Sequence, residues 1–526
     1  MKWHFIPLLL MSLASYAQQA YDVLIINGKI LDGTGNSWYY ADLAVKDGKI
    51  AAIGKLNRNA AAKIIDAGGQ IVAPGFIDVH THIEGEEARH PEATNFIYDG
   101  VTTVITGNCG SSQVDMQRYF RYLDSIGLSI NVAALIGHND VRRAVLGRAM
   151  RDPDAAELQR MVQLVEQAMK DGAVGFSTGL IYIPGTYSKT DEVVQLAAAA
   201  ARYNGVYASH IRNEGDSVVP AINEALHIGR VNRMPVQISH FKVSGQQNWG
   251  RSRETLALIE AARKEGLEVT IDQYPYTASS TSLSTLLPDE ILADGQDSIV
   301  ARLQRPDVRT YVINYMLQRL KKRKLKHFSY PVVAYYRFDT TLNGKSIEQV
   351  NLIKGRKHKA KAEAETVLEM MINGGASMVF HGMSEPDVKR IMQYPFNMFA
   401  SDASIRIFGS GVPHPRGYGT NARVLGKYVR EEKVLSLEEA IRRMTSLPAQ
   451  KFQLKDRGLL REGMAADIVV FDPATVRDLS TYEQPHQYAT GITHVLVNGK
   501  LTLENGRHTG VRNGVTLKGP GYAAQQ

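Results

Sequence analysis

The sequence predicts an α/β fold, a (β/α)8 TIM-like barrel that carries a small β-sandwich domain built from both termini. Three observations predict it. Apolar strand-like runs alternate with amphipathic helical stretches through the middle of the 526-residue chain. The eight strand-like runs are largely apolar along their whole length, which favours a closed parallel sheet buried on both faces over an open doubly wound sheet. Hairpin signals recur at both ends of the chain.

The first segment, residues 1–17, is typical of a secretory signal peptide. Lys2 gives it a basic start, and residues 5–14 form an apolar stretch too short to span a bilayer. Ser15-Tyr16-Ala17 places small residues where a signal peptidase cleaves, so we expect cleavage after Ala17. No cysteine follows at that point to carry a lipid anchor. We therefore expect an exported, periplasmic protein without a membrane anchor.

Both ends of the mature chain predict the small β domain, which we assign to residues 18–72 and 451–526. Asn27-Gly28 and Asp47-Gly48 each separate two apolar runs, and such pairs form tight hairpin turns. The same pattern returns near the C-terminus, at residues 467–471 and 495–500. We therefore expect strands from both ends of the chain to share one domain.

The middle of the chain, residues 73–450, is assigned to the barrel. Its helices have apolar residues at helical spacing, for example at residues 156–169, 192–203 and 254–264. Its eight predicted strands are residues 76–79, 102–106, 130–136, 174–177, 206–209, 236–239, 269–271 and 398–401.

An insertion separates the seventh and eighth predicted strands. The gap is several times longer than a βα loop requires. It contains helical and strand-like patches of its own, at residues 299–320 and 378–380. We interpret residues 285–395, to within a few positions, as an inserted subdomain or lid over the carboxyl face of the barrel. Its polar, basic middle is equally compatible with a mobile loop.

The composition is that of a globular protein. With 44% hydrophobic and 22% charged residues, it excludes wholesale disorder, collagen and coiled coils. The net charge of +8 could suggest nucleic acid, but part of it comes from one local run, residues 321–326. We interpret that run as a solvated helix face and expect no nucleic-acid partner.

The chain has one cysteine, Cys109, which must be buried and inert, paired with another chain, or bound to a metal.

Residues with metal-binding side chains follow several predicted strands. Strand one ends in His80-Thr81-His82, whose two imidazoles point the same way from extended backbone. Each of these residue types alone is usually structural. Together they fall on the carboxyl face, where a barrel places its chemistry. The set is His80, His82, Cys109, His210, His240 and Asp402. His138, after strand three, fits the same face but could equally belong to a turn.

This set of side chains predicts zinc. Imidazoles with one thiolate select a borderline-soft ion, whereas calcium and magnesium prefer oxygen ligands. Zinc with an open coordination position activates water near neutral pH and polarises a carbonyl group. Asp402 is not needed as a tight ligand, so it can accept the proton of the attacking water and return it to the leaving group. The sequence therefore predicts metal-assisted hydrolysis.

These motifs resemble the amidohydrolase superfamily of metal-dependent hydrolases and, within it, the N-acyl-D-amino-acid deacylases, or D-aminoacylases. The pair His80 and His82 is typical of the superfamily, and Gly107-Asn108-Cys109-Gly110 of the deacylase subgroup, where a cysteine replaces the metal-bridging carboxylated lysine of many relatives. The resemblance covers nearly the whole mature chain and is carried by residues 74–82, 100–110, 175–180, 208–212, 237–242 and 414–416.

The resemblance implies roles for individual residues. It implies zinc held tightly by Cys109, His210 and His240, with a second, weaker site formed by His80, His82 and Cys109, and Asp402 as general base and acid. It also implies that the substrate carboxylate is bound by cationic and hydroxyl groups, as burial of a carboxylate requires. From the resemblance we select Lys242, Arg416, Tyr182, Tyr276 of Tyr274-Pro275-Tyr276, and Ser282 rather than Ser280.

We therefore expect an exported zinc enzyme that hydrolyses the linear amide of an N-acyl-D-amino acid, or of a dipeptide ending in a D-residue, and takes a small-molecule substrate. One alternative is a cyclic-amide hydrolase of the dihydroorotase or hydantoinase kind. Another is a barrel that binds a metal or ligand without catalysis. Asp402 argues against the second alternative, because a binding protein needs no proton-transfer group.

Overall fold

The computed structural model of the protein describes residues 21–523. The predicted signal peptide lies outside these residues and stays a prediction. Across residues 21–523, no helix combines the length and the apolar character that a membrane span requires.

The strands of the described residues are β1 (Tyr21–Ile30), β2 (Tyr39–Lys46), β3 (Lys49–Gly54), β4 (Ala61–Asp66), β5 (Ile71–Pro74), β6 (Phe76–Asp78), β7 (Val101–Thr106), β8 (Asn131–Ala134), β9 (Ile136–Gly137), β10 (Gly175–Gly179), β11 (Val206–His210), β12 (Val236–Ile238), β13 (Val269–Gln273), β14 (Ala278–Ser282), β15 (Pro331–Tyr335), β16 (Ser377–His381), β17 (Asn397–Phe399), β18 (Ile468–Phe471), β19 (Ile492–Val497), β20 (Lys500–Glu504) and β21 (Arg507–His508).

The α-helices in the same part of the chain are α1 (Thr94–Tyr98), α2 (Met116–Ile126), α3 (His138–Leu146), α4 (Ala155–Lys170), α5 (Thr190–Ala201), α6 (Val218–Asn232), α7 (Ser252–Lys264), α8 (Gln296–Gln304), α9 (Pro306–Lys322), α10 (Ile347–Ile353), α11 (Ala360–Ile372), α12 (Glu385–Met392), α13 (Arg416–Arg423), α14 (Leu437–Met444), α15 (Ser446–Lys451) and α16 (Pro520–Ala523). A π-helix, Val424–Glu431, follows α13.

The central sheet confirms the predicted barrel. Strands β6, β7 and β8 pair in parallel, and β9 to β13 continue in parallel to β17. The chain runs directly from β8 into β9, and a parallel bridge between Thr81 and Ala403 joins the first barrel strand to the last. Each of the eight predicted strands overlaps an observed strand. The third predicted strand corresponds to β8 and β9 together.

The outer helices pack against this sheet by their apolar faces. Helix α4 shows why the sequence forms a helix here. The Asp154 side chain accepts a hydrogen bond from the Glu157 backbone, and the Glu157 carboxylate accepts one from the Asp154 backbone, which caps the first turn. Met161, Val165 and Ala168, one or two turns apart, are buried in the main core.

Strands from both ends of the chain form one further sheet, as predicted. Within residues 21–523 it contains nine strands, in the order β21-β20-β19-β18-β5-β1-β2-β3, with β4 beside β1. The termini meet where β5 pairs antiparallel with β18. Along β18, Ile468 and Val470 enter a core within this domain, whereas Val469 and Phe471 enter the main core of the barrel. The alternating side chains of one strand thus join the two domains.

The insertion between β13 and β17 is folded. Strands β14, β16 and β15 form an antiparallel sheet, and helices α8 to α11 pack beside it. Their buried side chains, among them Leu303, Val312 and Val367, form a hydrophobic core separate from that of the barrel. This core favours the inserted subdomain over the mobile loop, because a mobile segment would not hold so many apolar side chains out of water.

A substitution in this core tests how firmly the insertion is packed. Leu303 is fully buried, so we expect Leu303→Ala to lower the free energy of unfolding by about 2–5 kcal/mol. Leu352→Ala serves as the matched control, because Leu352 is 46% exposed on the neighbouring α10 and should change stability little. Chemical denaturation measures both. Equal effects of the two substitutions would contradict a packed core around Leu303.

Candidate metal centre and active site

Cys109 lies at the centre of a histidine cluster on the carboxyl face of the barrel. Its Sγ atom is 3.3 Å from Nε2 of His80, 3.5 Å from Nδ1 of His210 and 3.6 Å from Nε2 of His240. All four side chains are buried. The structure therefore brings together, around one sulfur atom, three histidines that the sequence places at the ends of three different strands.

The spacing of these atoms fits a transition-metal ion. Sulfur and nitrogen ligands of one tetrahedral zinc ion lie about 3.5 Å apart, as follows from the usual zinc–sulfur and zinc–nitrogen distances. The three distances from Cys109 match this value. Nδ1 of His210 and Nε2 of His240 lie 2.8 Å apart, also within reach of one ion. Cys109, His210, His240 and His80 could thus hold a metal.

Asp402 and His82 complete the cluster on its solvent side. Oδ1 of Asp402 is 3.3 Å from Nε2 of His82 and 3.6 Å from Nε2 of His80. Its other oxygen, Oδ2, is 2.9 Å from Nη1 of Arg416. Asp402 therefore lies between the histidines and a buried guanidinium group, so that one carboxylate contacts both.

Three of these residues have an unusual backbone. Cys109, His240 and Asp402 have φ angles of 53°, 35° and 49°, in the left-handed region that non-glycine residues seldom adopt. Each lies two or three residues beyond the end of a strand and turns its side chain towards the cluster. A Cβ atom on Gly179 would lie 2.0 Å from the carbonyl oxygen of Cys109, so only glycine permits this close approach. Such strain is common at functional sites.

Buried carboxylates hold the cluster residues in place, and the sequence analysis missed them. Asp78 accepts hydrogen bonds from the backbone N–H groups of His80 (3.1 Å) and Ser401 (3.0 Å), which ties the first strand to the last. Asp272 accepts one from the backbone of His240 (2.7 Å) and lies 3.6 Å from Nδ1 of His80. The sequence did contain one signal for Asp78 and Asp272, namely their position near the ends of strands.

Glu214 is a third missed residue. Its carboxylate lies 2.9 Å from Nδ1 of His240, which leaves Nε2 of that ring for the cluster. The same carboxylate accepts a hydrogen bond of 2.6 Å from the ammonium group of Lys242. Glu214 follows His210 by four residues in a loop, so no strand or helix period in the sequence indicated it.

The electrostatics keep Cys109 and Asp402 ionised. Burial raises the pKa of the Cys109 thiol, but His80 and His210 outweigh burial and hold that pKa well below its usual value. Burial also raises the pKa of Asp402, and the Arg416 guanidinium with His80 outweighs it, so this pKa too is well below its usual value. Cys109 is therefore poised as a thiolate ligand and Asp402 as a proton acceptor.

A cavity of about 340 Å³ opens beside the cluster. Besides His82, Cys109 and Asp402, it is lined by the predicted substrate residues Tyr182 and Arg416. It is also lined by Arg143, Ser280 and Arg406, which the sequence analysis did not select for substrate binding. The cavity therefore combines the cluster with several cationic groups, which suits a small anionic substrate.

Lys242 lies behind the cluster rather than in this cavity. Its ammonium group donates to Glu214 (2.6 Å) and to the carbonyl oxygen of His240 (2.9 Å). Tyr274 lies between the two predicted cations, with its ring centroid 5.5 Å from the Lys242 ammonium and 4.4 Å from the Arg416 guanidinium. Lys242 therefore positions His240 and Glu214 in the structure.

Two of the selected residues are corrected. Tyr276 points its hydroxyl at Asp478, to which it donates a hydrogen bond of 2.9 Å, so Tyr274 is the aromatic residue that lies beside Arg416. Ser282 is exposed and caps a short helical turn by accepting from the backbone of Ser284. Ser280, two residues earlier on β14, lines the cavity instead. Neither choice could be made from the sequence, because the first depends on the distant Asp478 and the second on how β14 is placed.

His138 is structural. Its Nε2 atom lies 2.8 Å from a carboxylate oxygen of Glu192, a buried residue that also pairs with Arg142. This network joins α3 to α5. It leaves His138 out of the metal cluster, which resolves the open alternative in favour of a structural role.

The protein is a (β/α)8 barrel that carries histidine, cysteine and aspartate side chains at the carboxyl ends of its strands. These features define the class of metal-dependent barrel hydrolases. The amidohydrolase family matches residues 63–503. The chain is 36% identical over 522 residues to a D-aminoacylase of Alcaligenes xylosoxydans xylosoxydans, which covers 95% of this chain and 98% of that protein. The chain belongs to the amidohydrolase family.

Two further relatives are similar over nearly the whole chain. An N-acyl-D-glutamate deacylase of Alcaligenes xylosoxydans xylosoxydans is 36% identical over 504 residues, 92% of this chain and 93% of that protein. The crystal structure of N-acyl-D-glutamate deacylase from Bordetella bronchiseptica, complexed with zinc and a phosphonate inhibitor that mimics the tetrahedral intermediate, superimposes with a TM-score of 0.80 at 37% identity. That comparison covers 95% of this chain and 99% of the other.

Proposed function

We propose that this protein is a zinc-dependent deacylase that hydrolyses N-acyl-D-amino acids to a carboxylate and a free D-amino acid. The observation that carries the proposal is Asp402. It lies within 3.6 Å of two cluster histidines and 2.9 Å from Arg416, in the cavity that Cys109 also lines. The full-length similarity to relatives named for deacylation of D-amino acids supports the substrate class.

We propose zinc as the metal, with Cys109, His210 and His240 as the tight site and His80 and His82 with Cys109 as a weaker one. The donor set supports zinc, because one thiolate among imidazoles suits a borderline-soft ion. When bound, zinc would activate water and polarise the amide carbonyl group. The zinc in the related Bordetella bronchiseptica deacylase is consistent with this assignment.

The side chains of this chain supply the proton transfer and the substrate contacts. Asp402 accepts a proton from the attacking water and returns it to the nitrogen of the departing amine, so the amide C–N bond breaks and a C–O bond forms. Arg416 holds Asp402 in place through Oδ2. Arg416, Arg406 and Tyr182 line the cavity and are available to a substrate carboxylate.

The role of Arg416 can be tested with two substrates. We expect Arg416→Met to lower kcat/KM for an N-acetyl-D-amino acid by about 100-fold or more, because a charged hydrogen bond contributes about 1.5–3 kcal/mol and Asp402 also loses its partner. An N-acetyl amine without a carboxylate should lose less, since only the Asp402 contact is affected. Steady-state kinetics on both substrates measures the difference. Equal losses would show that Arg416 does not bind the carboxylate.

The function itself is tested by a panel of substrates given to purified, zinc-loaded protein. N-acetyl-D-amino acids, N-acetyl-L-amino acids and hydantoins are compared in one assay of product release. We expect turnover of the D-series. Turnover of hydantoins alone would favour cyclic-amide hydrolysis, and zinc binding without any turnover would favour a binding protein.

We further propose that the protein is exported and that D-residue dipeptides from cell-wall turnover are among its substrates. The basic and apolar residues of segment 1–17 support export. Fractionation of cells that express the full chain should place the processed protein in the periplasm. Good turnover of N-acetyl-D-amino acids with none of D-configured dipeptides would contradict the dipeptide proposal.

A further inference from the structure

A second group of metal-binding side chains lies in the insertion, separate from the Cys109 cluster. It consists of His327, Glu348, His358 and Glu363, which we call the insertion cluster. Each residue offers one ligand atom, and these atoms all lie within 4.8 Å of one another. None of the four lines the cavity beside Asp402. The cluster therefore needs an explanation other than catalysis.

The four side chains come from four positions along the insertion. His327 precedes β15, Glu348 lies in the first turn of α10, His358 is in the loop between α10 and α11, and Glu363 is in the first turn of α11. Nδ1 of His327 is 2.6 Å from Oε1 of Glu363 and 3.8 Å from Oε1 of Glu348. Nε2 of His358 is 2.6 Å from the same oxygen of Glu348. One atom of each residue thus points at a common centre.

The arrangement is held in place before any ion binds. The Glu363 side chain is fully buried, and its second oxygen accepts a hydrogen bond of 2.7 Å from the backbone of Phe328. The two imidazole rings are stacked with centroids 4.1 Å apart and an angle of 22° between their planes. A nitrogen of each ring therefore faces a glutamate carboxylate in a fixed arrangement.

We propose that the insertion cluster is a structural binding site for a divalent transition-metal ion such as zinc. Two imidazoles and two carboxylates are a complete tetrahedral donor set, and two neutral rings with two carboxylates balance the charge of a divalent ion. Each neutral ring would present to the ion the nitrogen that faces a glutamate and would carry its proton on the other ring nitrogen. The ion connects the segment before β15 to both helices, α10 and α11, and so stiffens the subdomain that adjoins the active site.

The alternative is that each histidine only forms a hydrogen bond with a glutamate. Lys326, Lys357 and Lys359 flank the two histidines in the chain, and their charge opposes the binding of a cation. Metal content separates the two explanations, because hydrogen-bonded pairs do not retain zinc. The proposal does not rest on the deacylase function, since it concerns different residues and a different measurement.

The test is equilibrium dialysis of the full protein against Zn²⁺, with zinc per chain measured by elemental analysis. The variants are His358→Asn and the double variant His327→Asn/His358→Asn. His227→Asn serves as the matched control, because His227 is an exposed histidine on α6, outside the insertion. We expect the wild type and the control to bind about one more zinc per chain than the double variant. Activity should be the same in all four proteins.

A second measurement guards against a variant that fails to fold. His358 is half-exposed, so His358→Asn alone should fold normally. Added zinc should raise the Tm of the wild type more than that of His358→Asn, because an ion that binds only the folded state stabilises it. Equal zinc content and equal Tm shifts in the wild type and His358→Asn would overturn the proposal. Loss of activity with intact zinc stoichiometry would instead concern the proposed function.

Discussion

Replacing Asp402 by alanine should cut kcat by about 10²–10⁴ while the bound zinc remains. Asp402 is the carboxylate placed to move a proton, and its low pKa keeps it ionised at neutral pH. The tight site that we propose, Cys109 with His210 and His240, does not include Asp402. Steady-state kinetics and elemental analysis of the same preparation measure the two quantities together.

The matched control for this substitution is Ser404→Ala. Ser404 lines the same cavity two residues further along the chain, but it offers no carboxylate. Its removal should leave kcat within a few-fold of the wild type. If Asp402→Ala lost its zinc, Asp402 would be a required ligand rather than a proton-transfer group, and the mechanism would need another base.

Replacing Cys109 by alanine should remove most of the bound zinc and lower activity by about 10²–10³ or more, since the charge stabilisation that the metal supplies would be lost. The Sγ atom of Cys109 contacts His80, His210 and His240 at the same time. Without the sulfur, three buried imidazoles surround an empty volume and no anionic ligand remains at their centre. Zinc content and kcat/KM on an N-acetyl-D-amino acid measure the effect.

Ser111→Ala is the control for Cys109→Ala, because Ser111 lines the same cavity from the same loop without contacting the histidines. It should keep both zinc and activity. A Cys109→Ala protein that retained full zinc and full activity would show that the histidines alone hold the metal. The proposed role of the thiolate as a metal ligand would then be wrong.

Much of the fold could be predicted from the sequence, because it depends on patterns that the chain carries locally. Strands such as β7 (Val101–Thr106) are buried on both faces and therefore consist of valine, isoleucine and threonine without a charged residue. The cluster residues lie at or shortly after the ends of such strands, and barrel geometry alone brings His80, His210 and His240 to one face. Cys109 stood out because the chain has no second cysteine.

The remaining features depend on contacts between distant segments. Glu214 and Asp272 are recognisable only once His240 is seen to contact both. The choice between Tyr274 and Tyr276 depends on Asp478, about 200 residues later in the chain, which accepts the hydroxyl of Tyr276. The core of the insertion, around Leu303, comes from helices whose packing no single sequence period reveals.

The most direct test of the central claim uses racemic N-acetyl-amino acids and zinc-loaded protein, followed by chiral analysis of the released amino acid. We predict that only the D-amino acid appears and that release stops when half of the racemate is consumed. Release of the L-amino acid, or of no amino acid from protein that retains its zinc, would contradict the assignment of this barrel as an N-acyl-D-amino-acid deacylase.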